Sequence, residues 1–256
     1  MADAAVSDGA VAEKPVGGRD LLIILAAGLA VFILLTVAVG AYMLAFLPSP
    51  EAARDLAGEF DFVVGSTAVT DIALLAVVWW RAKRLSPHPM ARFFAPVEGR
   101  TLVFAALSAL ALMAVFAAAE ALANRLTGSP LSLSSAETAL MPTTPGQLFA
   151  ILAAGALIGP FFEEFLFRGF LLGWLKRVMA VWPAIFVSSA AFALMHFQLF
   201  LRPGLSGWIG GSEIFAIGVL LGWWAHKSGS LRTSFVVHAV NNGAAFLIYF
   251  AVPAWR

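Results

Sequence analysis

Between Asp20 and Glu51 the chain runs for thirty residues without an Asp, Glu, Lys or Arg. A helix rises about 1.5 Å per residue, so such a run covers a hydrocarbon core about 30 Å thick with residues to spare. Residues 21–47 therefore read as a first membrane span. The rest of the chain is built the same way: of 256 residues, 61% are AVILMFWYC and only 12% are charged, which excludes a water-soluble globule. The expected fold class is all-α, a polytopic membrane helix bundle of about seven spans, with six to eight allowed by the length. Residues 1–20 read as a flexible tail, and 21–256 as one membrane-embedded helical domain. A secretory signal is not expected, given the acidic residues ahead of the apolar run and the length of that run. A net charge of +1 argues against nucleic-acid binding, which needs a clustered basic face. The absence of cysteine excludes disulfides, Cys-ligated zinc and a thiol nucleophile.

Six further spans follow, over 60–80 (with Asp71), 101–123 (Glu120), 147–174 (Glu163, Glu164, Arg168), 178–201 (His196), 214–225 and 233–255 (His238). An eighth arises if the fourth breaks at Pro160, whose missing N–H kinks or restarts a helix. Basic residues set the orientation, because positive loops stay in the cytoplasm. Arg81, Lys83, Arg84, Arg92 and Arg100 follow the second span, Lys176 and Arg177 the fourth, and Lys227 and Arg232 the sixth; the alternate loops hold only Arg54, Arg125 and Arg202. The N-terminus is thus expected inside and Arg256 outside, with Trp79, Trp80, Trp223 and Trp224 in an interfacial belt. Residues 81–100, with Phe93 and Phe94, read either as a segment lying on the anionic inner leaflet or as a solvated loop.

An ionisable group inside a span costs on the order of 2.5–3.5 kcal/mol on insertion scales, so each needs a partner or a purpose. Glu163, Glu164, Arg168, His196, His238 and Asn242 lie in three spans and supply acids, imidazoles and an amide. On a helix, residues four apart share a face, which pairs Glu164 with Arg168, Phe192 with His196, and His238 with Asn242. Glu163 then points elsewhere, toward a wet cavity. Should the helix restart at Pro160, both acids would also gain from its positive end. Isolated polar groups in bundles are commonly interhelical hydrogen bonds worth about 0.6 kcal/mol, but three helices contributing together favour a shared polar site. Asp71, with Thr67 and Thr70 beside it, reads as bonded to a neighbouring helix rather than lining that cavity. Glu120 is expected at the interface, and His88 and His226 as interfacial or solvated.

These motifs, Glu163-Glu164-Phe165-Leu166-Phe167-Arg168 (EExxxR), Phe192-Ala193-Leu194-Met195-His196 (FxxxH) and His238-Ala239-Val240-Asn241-Asn242 (HxxxN), resemble in order and placement those of the CAAX-protease and bacteriocin-processing (CPBP/ABI) family of intramembrane proteases. The resemblance covers about residues 147–250, the protease-like core. It implies endopeptidase hydrolysis of peptide bonds in membrane-associated substrates, prenylated proteins among them, by an integral membrane protein of a bacterial inner membrane surrounded by its lipids. Carried over, Glu163 is the general base, His196 helps it hold the attacking water, and His238 and Asn242 stabilise the oxyanion. Glu164, Arg168 and Phe192 are supports. No cofactor is required in this reading. The family is also described as metallopeptidases, which would make Glu163, His196 and His238 three zinc ligands with water in the fourth position, although HExxH is lacking.

Other readings compete. Gly204-Leu205-Ser206-Gly207 matches the GxSG pattern of rhomboid serine proteases, with His238 as base, but Pro203 and five glycines over 204–218 describe a flexible loop and helix start. An aspartyl protease would need two membrane Asp residues. A transporter would show an internal repeat, and none is visible. A non-catalytic scaffold or immunity protein of the same fold is the remaining alternative.

Overall fold

The computed structural model describes residues 13–128, 135–202 and 204–252, all helices, turns and connections with no strand among them. Helix α1 (Gly18–Phe46) leads through the short α2 (Pro50–Gly58) into α3 (Phe60–Leu85), then α4 (Pro89–Phe93), α5 (Gly99–Thr127) and the single turn α6 (Ser135–Thr138). Helices α7 (Pro145–Ala153), α8 (Gly159–Glu163) and α9 (Leu172–Val178) run end to end, joined by wide π-turns over Ala154–Ile158 and Glu164–Leu171 into one rod, Pro145–Val178. Helix α10 (Val181–Met195), a 3₁₀ turn (Phe197–Leu201), α11 (Leu205–Ser228) and α12 (Leu231–Ala251) complete the bundle. Six helices among the described residues, α1, α3, α5, the rod, α11 and α12, are long and apolar enough to cross a membrane. The chain is a polytopic integral membrane bundle.

The rod is the centre. Helices α3, α10, α11 and α12 pack around it, α1 lies against α3, and α5 against α11 and α12. Its flanks are aromatic: Phe165 and Phe170 are fully buried, and Phe93 and Phe94 insert beside them. Within residues 81–100, Phe93 and Phe94 are thus buried against the rod, whereas Lys83, Met90 and Glu98 stay exposed. Phe94 stacks on Phe161 at 5.0 Å, because burying two rings returns more than leaving them at an interface.

Several sequence expectations change. The rod does not break at Pro160: Gly159 and Glu164 keep right-handed helical dihedrals, and a π-turn absorbs the missing donor. The acids therefore sit mid-helix and gain nothing from a helix start. The fifth span is not one helix. Helix α10 has only 15 residues, about 22 Å, and stops at His196, whose φ of −102° and ψ of 33° leave the helical range. The glycine-rich stretch is helical from Leu205 because glycine lets α11 press against the preceding turn; a Cβ at Gly207 would lie 2.5 Å from the Arg202 carbonyl oxygen. Glu120, near the end of α5, is paired: Arg202 donates to it at 3.1 Å and also pairs with Glu137.

Of the expected tail, residues 1–12 lie outside the described residues, as do Pro203 and Arg256. From Glu13 on the chain is tied down. Lys14 N–H donates to the Leu85 carbonyl at 2.9 Å, Arg177 to the Val16 carbonyl at 2.6 Å, and buried Asp20 pairs with Arg81. Trp224 is buried within the bundle, and its indole N–H donates to Ser108 at 2.9 Å.

Candidate active site

Glu163 ends α8 and Glu164 opens the second π-turn, and the partners of the two acids come from three other helices. Glu164 is fully buried. Arg168 Nη1, one turn on, donates to its Oε1 at 3.1 Å, and His238 Nδ1 from α12 lies 3.0 Å from the same oxygen. Because that oxygen accepts, His238 carries its hydrogen on Nδ1 and turns Nε2 to the other side. There it meets Glu163, whose Oε2 is 3.6 Å away. One imidazole thus spans both acids.

His196 sits just past the end of α10. Its Nδ1 lies 2.9 Å from the Phe192 carbonyl oxygen, which can only accept, so Nδ1 donates and Nε2 points to Glu163 Oε1 at 4.0 Å. Phe192 has three further roles: its ring lies 4.6 Å from His196, 5.6 Å from His238 and 4.4 Å beneath the Arg168 guanidinium. Arg168 Nη2 also donates to the Gly218 carbonyl at 3.2 Å. A Cβ at Gly218 would come within 3.1 Å of Ser189 Cβ, so glycine there allows the contact between α10 and α11 that brings this carbonyl in.

Asn242 is held differently. Its Nδ2 donates at 2.9 Å to the carbonyl of Gly155 in the first π-turn. In a π-turn that carbonyl looks five residues ahead for its donor, to Pro160, which has no N–H. The amide supplies the missing hydrogen bond and keeps a second N–H.

The expected constellation is therefore gathered. Glu163, Glu164, Arg168, Phe192, His196 and His238 form one cluster, and Asn242 reaches the rod one π-turn earlier. Glu163 Oε2 is buried without a hydrogen bond, and its side chain keeps 17% exposure, the contact with the exterior that water delivery needs. Ser206 lies in the first turn of α11, whereas both ring nitrogens of His238 face the glutamates, so the serine-protease reading has no Ser–His pair.

As zinc donors, Glu163 and the two Nε2 lone pairs are chemically suitable, and both Nδ1 positions are anchored as metal-bound imidazoles usually are. Their spacing is wider than a tetrahedral site with bonds near 2.0–2.1 Å, whose donors stand about 3.3 Å apart. Among the described residues no three His, Asp or Glu side chains close into a metal-holding group.

The sequence reading overlooked Gly155 and Gly218, which act through backbone carbonyls and leave no motif, and it misplaced Asp71. Asp71 makes no hydrogen bond to a described residue on a neighbouring helix. Its Oδ2 lies 3.2 Å from where a Cβ of Gly159 would be.

Residues 145–244 match the family model described as type II CAAX prenyl endopeptidase Rce1-like. No curated protein and no solved structure matches the chain.

Proposed function

With residues 145–244 matching the Rce1-like CAAX-protease family, we propose that this chain is an intramembrane endopeptidase that hydrolyses peptide bonds of membrane-associated substrates with water activated by Glu163. The observation that carries the reading is the convergence of both imidazole Nε2 atoms on one buried, hydrogen-bond-free carboxylate oxygen and its twin. Water between them donates one hydrogen to His196 Nε2 and loses the other to Glu163 as its oxygen attacks the scissile carbonyl. His238, held through Nδ1 by the Glu164 carboxylate, serves the developing oxyanion in the form that carries a hydrogen on both ring nitrogens, and the second Asn242 N–H is the other donor. Removing one such donor costs roughly 100- to 1000-fold in rate.

The purified protein in lipid nanodiscs, given prenylated and unprenylated membrane-anchored peptides, tests this. The wild type is expected to cleave and Glu163→Gln to lose at least 100-fold in kcat; equal cleavage by the variant overturns the reading and favours a scaffold of the same fold. Comparing membrane peptides from a Glu163→Gln strain and its parent identifies the natural substrate. The donor chemistry of Glu163, His196 and His238 supports a zinc-dependent second reading, in which the metal would supply Lewis acidity at the same carbonyl. Chelator-insensitive activity supports the metal-free mechanism, whereas one equivalent of zinc lost with His196→Ala supports the other. The basic loops favour an N-terminus in the cytoplasm, in a bacterial inner membrane.

A further inference from the structure

His196 stands on weak local structure. It follows the last residue of α10, its ring is hydrogen-bonded to the Phe192 carbonyl, and its side chain keeps 23% exposure. Its backbone is held by two short-range bonds, from His196 N–H to the Ala193 carbonyl and from Leu199 N–H to the His196 carbonyl, each at 3.0 Å. The 3₁₀ turn that comes next, Phe197–Leu201, has no buried residue. A helix end followed by such a turn belongs to the part of a fold that opens first, because few buried contacts and poorer hydrogen-bond geometry hold it. The direction of the imidazole therefore depends on what secures the turn from outside.

Two contacts do so. The first is a bare face of α11: a Cβ would lie 2.5 Å from the Arg202 carbonyl oxygen at Gly207, 3.3 Å from the Leu199 carbonyl oxygen at Gly210 and 2.2 Å from the Phe200 ring at Gly211, so the turn sits directly on glycine backbone. The second is Arg202, the residue after the turn. Its Nε donates to both oxygens of Glu137 at 3.0 Å, Nη2 pairs with the same carboxylate, and Nη1 donates to Glu120 at 3.1 Å. The Arg202 side chain is only 10% exposed. One guanidinium thus ties the far end of the turn to α5 and α6, and its planar fork fixes direction as well as distance.

We propose that Arg202, which lies outside the EExxxR, FxxxH and HxxxN motifs, is a positioning residue for His196: by clamping the turn against α11 it keeps the imidazole Nε2 aimed at Glu163 Oε1, 4.0 Å away. This rests on the protease reading above. Arg202 touches neither the water nor the substrate, and acts through the five residues between it and His196. With the clamp released, the turn lifts from the glycine face and the imidazole no longer holds the attacking water in line. A displacement of about 1 Å at reacting atoms costs on the order of a hundredfold in rate.

Spin labels and kinetics on the full chain in nanodiscs test this. The native chain has no cysteine, so a nitroxide on Leu201→Cys reports the turn and one on Val187→Cys reports α10, both at exposed positions. Arg202→Gln is expected to mobilise the Leu201 label and to leave the Val187 label unchanged. On a membrane-anchored peptide the same substitution is expected to lower kcat by about ten- to a hundredfold with KM little changed. Added to His196→Gln, which has already lost the imidazole, it is expected to cost less than about threefold more, whereas a role in folding alone would multiply the two losses. An unchanged Leu201 label, mobilisation of both labels or multiplied losses overturns the inference, as does a kcat for Arg202→Gln within about twofold of wild type. A wild type that cleaves no peptide overturns the protease reading and the positioning role with it, while the labels still show whether the clamp itself exists.

Discussion

Arg168 is the residue on which the site's geometry turns. Its side chain is 1% exposed, it donates to a fully buried carboxylate, and Phe192 covers its guanidinium. Such a pair adds little net stability over apolar residues of the same shape, but breaking it strands a charge where water cannot reach. Arg168→Met is therefore expected to cost about 3–5 kcal/mol in denaturant unfolding, and Arg168→Met with Glu164→Met together distinctly less. Glu163→Gln touches no hydrogen bond, so its unfolding curve should overlay that of the wild type while activity is lost. The pairing of Glu164 with Arg168 was legible, since four residues always bring two side chains onto one helix face. The bridging of both acids by His238 was not, because 74 residues separate it from Glu164 and only packing sets their distance.

At the level of elements, the rod's two π-turns do what a regular helix cannot. The first releases the Gly155 carbonyl for Asn242, and the second begins between Glu163 and Glu164, which meet opposite sides of one imidazole. Pro160 signalled an irregularity in the sequence, a kink or a restart, and the chain widened a turn there, with Asn242 satisfying the orphaned acceptor. Between α10 and α11 the contact depends on glycine. Gly218→Ala places a methyl 3.1 Å from Ser189 Cβ and pushes away the carbonyl that Arg168 uses. Backbone must move to admit it, so a loss of about 1–3 kcal/mol is expected in thermal or denaturant unfolding, with activity falling further than the folded fraction.

Across the whole molecule, charge asymmetry and the bundle should agree on one orientation. With the amino end inside, the site lies part-way through the bilayer, His196 standing about 22 Å along α10 from its first residue. Because the native chain has no cysteine, single cysteines report topology cleanly. Met90→Cys, at an exposed position after α3, is expected to react with a membrane-impermeant maleimide only after the cytoplasmic side is opened, and Glu51→Cys in intact spheroplasts. The reverse pattern would invert the assignment. Membrane residence, helical class and the set of polar residues were determined by composition and spacing, which act locally and survive any arrangement of the spans, and the core segment by the resemblance of its motifs. Tertiary structure alone decided that α10 stops at His196, that Phe93 and Phe94 turn inward, and that Asp71 approaches the rod at Gly159. These depend on which helices touch and how closely, and no periodicity along one strand of sequence encodes the shape of its neighbour.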